Sequence, residues 1–118
     1  MNLLYPLMRP LRQVLRGLFL SSLSWTVSAE VIEVEISKYQ YHPQVVTIQR
    51  GDTVHWTNLE RRQYHSVILH REGSTDAKLD SGYLFPGDRW NHTFTEAGYY
   101  AYLCGPHPEM SGRIEVEL

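Results

Sequence analysis

Near its C-terminal end the chain places Cys104-Gly105-Pro106-His107-Pro108-Glu109-Met110. A thiolate, an imidazole and a thioether thus fall within one short loop, just after one strand-like segment and before the last. Thiolate and thioether are soft ligands, and imidazole suits copper well. A metal that alternates between Cu(I) and Cu(II) needs a site tolerable to both. Two His nitrogens and one Cys sulfur in a trigonal plane, with a weak axial Met, provide it. The loop supplies a single His, so a second must come from elsewhere. His65, in Tyr64-His65-Ser66-Val67 after the polar turn 59–63, is the best candidate. Each residue also has a plainer reading. Cys104 could be a buried core thiol, His65 an ordinary strand histidine and Met110 core filling. Their co-occurrence in order is what favours a metal. With that set complete, His42, His55, His70 and His92 are expected to lie outside it.

The elements that must position these residues read as strands and turns. Residues 31–36 alternate with period two, as a half-buried strand does. Residues 39–43 break that pattern, and Val45-Val46-Thr47-Ile48 is a β-branched run. Gly51 supplies a permissive turn before a strand from Thr53 to Asn58, with Val54 and Trp56 on one face. Further strands are expected at Tyr64–His70, Trp90–Thr95, Tyr99–Cys104 and Gly112–Leu118, with Ile114, Val116 and Leu118 on one face. Arg71–Asp80 reads as an irregular surface loop, and Phe85-Pro86-Gly87-Asp88 as a turn. No helical period appears after residue 30. About seven short strands at turn-punctuated spacing predict an all-β Greek-key sandwich. Cys104 shares strand parity with Tyr100 and Tyr102, so all three should point inward. Trp56 and Trp90 are expected in or beside the core, and Arg61-Arg62 reads as a solvated turn, with docking as its second reading.

Composition narrows the function classes. The chain has 118 residues, 11 basic and 13 acidic, for a net charge of −2. Arg9, Arg12 and Arg16 precede every acid, and without them eight bases face thirteen acids, a net −5. That acidic remainder argues against general nucleic-acid binding. A single cysteine excludes an internal disulfide and any site built from several thiolates. A basic start, a short apolar but Ser-rich stretch at 17–27 and small residues at Val27-Ser28-Ala29 predict a secretory signal peptide over residues 1–29. The expected mature domain is residues 30–118, with no membrane span after cleavage and a periplasmic location. An uncleaved amphipathic anchor is the second reading of the first segment.

In order, Tyr41-His42-Pro43, Gly51-Asp52-Thr53-Val54-His55-Trp56-Thr57-Asn58, His65-Ser66-Val67, Phe85-Pro86-Gly87-Asp88 and Gly98–Cys104 resemble the type 1 blue-copper proteins of the plastocyanin–azurin (cupredoxin) family. The resemblance spans nearly all of residues 31–118, and the short Cys-x₂-His-x₂-Met loop is of the amicyanin type. It implies one copper ion, with His65, Cys104 and His107 as equatorial ligands and Met110 as the axial one. Two departures from the amicyanin pattern stand out. Ser66 replaces an Asn whose side chain ties the two ligand loops together, and Glu109 replaces an apolar residue. A serine reaches less far, and such neighbours tune potential and affinity.

The implied function is one-electron transfer, not enzymatic conversion, by a monomeric carrier. The resemblance also implies that His107 presents its ring edge at the surface, with Pro106, Pro108, Phe85 and Pro86 around it. There a redox protein, such as a c-type cytochrome or an amine dehydrogenase, would dock. The excess of acids would steer a basic partner. On so short a loop, His107 is expected to leave Cu(I) and take up a proton as pH falls. The rival readings are a copper carrier or resistance protein without redox turnover, and a zinc-binding or purely structural sandwich. Open transfer sites are Met- or His-rich, whereas only Met110 follows the signal segment.

Overall fold

In the computed structural model, residues 28–118, together with residues 17 and 21–23, are described. The expected signal segment therefore lies almost wholly outside the described residues. Among the described residues the protein is all-β, and no helix is long and apolar enough to cross a membrane. The strands are β1 (Val31–Ser37), β2 (Gln40–His42), β3 (Val45–Gln49), β4 (Thr53–Asn58), β5 (Ile68–Arg71), β6 (Leu79–Asp80), β7 (Arg89–Thr93), β8 (Gly98–Leu103) and β9 (Ser111–Glu117).

They form two sheets, ordered β2-β1-β4-β7 and β3-β9-β8-β5-β6. β1 pairs in parallel with β4, and β3 with β9; every other pairing is antiparallel. Alternation decides which residues meet between the sheets. Val34, Ile36, Val54 and Trp56 point inward from one sheet, and Leu69, Tyr100, Tyr102, Ile114 and Val116 from the other. Phe94, just past β7, closes the core against Tyr100 at 4.9 Å between ring centres.

Several strands differ in extent from the periodicity. The run 39–43 is a turn followed by β2, which pairs with β1 across a two-residue hairpin (Ser37 opposite Gln40). Lys38 and Tyr39 hold left-handed backbone there, at φ 52° and 57°. This is the turn geometry whose twist matches a hairpin, although non-glycine residues pay for it sterically. Tyr64–His70 is not one strand. β5 begins at Ile68, and His65 instead exchanges a pair of backbone hydrogen bonds with Leu84 (3.1 and 2.7 Å). The polar loop after Arg71 contains β6, held against β5. Leu118 lies beyond β9 and is exposed rather than inward.

Candidate metal centre

Three segments converge at one end of the sandwich. Cys104 follows β8 directly and is fully buried, with Tyr100 and Tyr102 inward on the same parity as expected. The loop from Cys104 to Met110 is closed at its base, where the Cys104 N–H donates to Met110 O at 3.1 Å. Within it the Met110 N–H donates to His107 O at 2.9 Å, which turns the chain sharply enough to bring His107 back over Cys104. His65 arrives from the β4–β5 connection, pinned by Leu84.

Buried Asn58, the last residue of β4, organises that connection. Its Nδ2 donates to Gln63 O and Leu84 O, both at 2.8 Å, and its Oδ1 accepts from the Glu60 N–H at 2.9 Å. A buried amide with these partners leaves little freedom in residues 58–65.

The donor atoms form a compact triangle. Cys104 Sγ lies 3.6 Å from His65 Nδ1 and 3.6 Å from His107 Nδ1, and the two Nδ1 atoms are 3.2 Å apart. The point equidistant from all three is about 2.0 Å from each, the length of a metal–imidazole bond and slightly short of a metal–thiolate one. These are the only three such side chains that cluster among the described residues. Met110 is buried in the same loop. Thiolate, two imidazoles and a neighbouring thioether make a set that fits copper better than zinc, which gains little from a thioether.

The surroundings of His65 favour the state a metal needs, a neutral imidazole. Burial pushes the His65 ring below its usual range, against an opposing pull from Glu60. The Glu60 carboxylate lies 3.2 Å from His65 Nε2, so it can accept that N–H and leave Nδ1 free to coordinate. The Ser66 N–H donates to Cys104 Sγ at 3.4 Å. Ser66 Oγ accepts from the Gly105 N–H at 2.8 Å, so the serine ties the two loops together despite its shorter reach. The fit is close, because a Cβ on Gly105 would sit 3.1 Å from Ser66 Oγ. Beneath, the Tyr41 hydroxyl donates to Ser66 O at 2.6 Å, and burial raises its pKa strongly.

Glu60, Asn58 and Tyr39 are site residues that spacing did not single out. Tyr39 meets both imidazoles edge-on, at 5.4 Å from the His65 ring centre and 4.9 Å from that of His107. Its N–H donates to Glu60 Oε1 at 2.9 Å, so one carboxylate anchors both the turn and the histidine. Of the apolar rim expected around His107, Phe85 is exposed and packs on Tyr64, whose ring also meets Tyr83. His55, His70 and His92 lie on strands away from the triangle, and His42 contacts Ser37 O instead.

Known proteins resemble this chain in sequence and in fold. Amicyanin from Paracoccus versutus is 36% identical over 92 residues, covering 77% of this chain and 68% of its own. Amicyanin from Paracoccus denitrificans is 36% identical over 91 residues, covering 77% and 69%. Plastocyanin from Tetradesmus obliquus is 29% identical over 113 residues, covering 86% and 77%. Among solved structures, an oxidised amicyanin variant superposes with a TM-score of 0.68 at 36% identity, over 73% of this chain and 81% of that one. A Cu(I) form of another amicyanin variant gives 0.68 at 35%, over 78% and 87%. The model of copper binding proteins, plastocyanin/azurin family, matches residues 28–117, nearly the whole described chain. By its sequence, its two-sheet fold and its set of copper donors, this chain belongs to the plastocyanin/azurin family of copper-binding proteins.

Proposed function

We propose that the protein is a periplasmic blue-copper electron carrier. In this reading His65, Cys104 and His107 hold one copper ion in a trigonal set, and Met110 is the weak axial ligand. The observation that carries it is the donor triangle, already at bonding size in a framework of paired strands and short loops. When bound, the copper supplies a one-electron couple, Cu(I)/Cu(II). The chain supplies the rest. Strand β8 and the bridge from His65 to Leu84 fix the sulfur and one nitrogen, so little has to move between the two states. The Ser66 N–H draws charge from the Cys104 sulfur, and Glu60 holds the His65 ring in one orientation. His107 is only partly buried, so its ring is the natural exit toward a partner. The exposed aromatics Tyr64, Tyr83 and Phe85 fit a surface that docks and releases redox proteins, such as a c-type cytochrome or a dehydrogenase.

The visible spectrum of the Cu(II)-loaded protein tests the site. An intense blue band is expected from thiolate–copper charge transfer, and Cys104→Ser should abolish it. A colourless wild type would overturn the carrier reading and favour copper handling without redox turnover.

A further inference from the structure

The dipeptide Arg61-Arg62 has no role in the donor set, yet it lies beside it. Together with Lys38, Tyr39, Leu59 and Glu60 it lines one hollow at the metal end of the sandwich. Of the five other cations among the described residues, three are neutralised in place, while Arg50 and Lys78 stand unpaired away from this hollow. Arg71 pairs with Glu96, Arg89 with Glu33, and Arg113 lies between Glu72 and Glu115. Lys38, Arg61 and Arg62 are exposed and make no ion pair among the described residues. The one carboxylate in the hollow, Glu60, is turned inward to the Tyr39 N–H and His65. Glu109 lies across Tyr39 in a separate hollow. Unpaired positive charge is therefore gathered where Tyr39 touches both ligand imidazoles.

Resting on the carrier reading, we propose that this hollow docks an acidic surface of the protein's electron-transfer partner, with Lys38, Arg61 and Arg62 as the recognising cations. The net charge of residues 30–118, eight bases against thirteen acids or −5, points the other way, toward a basic partner. Screening decides between them. At physiological ionic strength, charges beyond about 8 Å of a contact are largely screened, so the local cations outweigh remote acids on the sheets and far loops. Cations at the rim act mainly on the rate of encounter. Tyr39 then lies between the docked surface and the imidazoles, which keeps the partner's approach short.

The test is stopped-flow electron exchange of the copper-loaded full chain with two c-type cytochromes, one of net negative and one of net positive charge, across ionic strength. Wild type should react faster with the acidic cytochrome near physiological ionic strength, where remote acids are screened, and lose that advantage toward about 1 M salt, where the local cations are screened as well. R61E/R62E should slow that reaction by about ten-fold or more while speeding the basic one, with R61Q/R62Q between. Both variants should keep the wild-type blue band, since these side chains are exposed. At physiological ionic strength, less than a two-fold change in R61E/R62E, or a wild type faster with the basic cytochrome, would overturn the docking surface alone. A wild type with no blue band and no exchange with either cytochrome would overturn the carrier reading and the surface with it.

Discussion

At the scale of single residues, the four ligand candidates and their supports were unequally legible. Cys104, His107 and Met110 could be found because a turn forces its ligands to be close in sequence as well as in space. His65 followed from the requirement for a second imidazole together with its place after the polar turn 59–63. Glu60 left no such trace, since its contact with His65 depends on the path Asn58 imposes on residues 58–65. Yet its carboxylate is the feature that fixes which nitrogen of His65 faces the sulfur. Glu60→Gln keeps an oxygen for the Tyr39 N–H but removes the charge beside Nε2. Loss of such a partner weakens metal binding by about ten- to a hundred-fold. We expect a decrease near the lower figure, read by chelator competition for Cu(II), with the metal-free protein still unfolding close to its wild-type midpoint.

At the scale of elements, alternation located the inward faces but not the ends of strands. β1, β4 and β8 follow their apolar parity, because burial on one face sets register strongly. β2, β6 and the departure of residues 64–67 from β5 depend on partners far away in sequence, which no local pattern reports. The same holds for Gly112. By sequence it is the first residue of the closing strand, and it sits in β9 opposite Tyr102 of β8, a partner that alternation does not report. A Cβ there would fall 2.1 Å from Tyr102 Cζ, so the tyrosine ring occupies the space that the missing side chain leaves. That ring is itself held between Tyr41, at 4.6 Å, and Trp56, at 5.4 Å, and cannot swing away cheaply. Overpacking of this kind costs about 1–3 kcal/mol, occasionally more. Gly112→Ala should fall at the top of that range in urea unfolding of the metal-free protein. Tyr102→Leu in the same background should recover part of it, because the two changes act on one space.

At the scale of the whole molecule, the described residues form a two-sheet frame with its chemistry at one end, and that division was visible from the order of the motifs. What the sequence total obscured is how charge and burial are distributed over the frame. His92 illustrates this. Counted among the non-ligands, it belongs to the inward stripe of β7, opposite Val54, stacked 6.0 Å from Trp90 and edge-on to Phe94 at 4.8 Å. Burial alone lowers its pKa from the ordinary 6.5. The unfolded chain therefore takes up this proton first on acidification. Stability is fully present above the unfolded value and is lost as pH falls through the folded one, with a slope of at most about 1.4 kcal/mol per pH unit for one ring. His65 is lowered as well and contributes with the same sign in the metal-free protein. Urea unfolding of that protein from pH 7.5 down to pH 5 should thus show declining stability, and His92→Leu should flatten part of the decline while leaving the share of His65. An unchanged slope in His92→Leu would show that the charged ring costs no more in the fold than in the unfolded chain. Copper should steepen the remaining decline, because a coordinated His65 takes no proton while the unfolded chain's His65 still does, so the loaded protein is expected to lose more stability per pH unit than the metal-free one until copper dissociates.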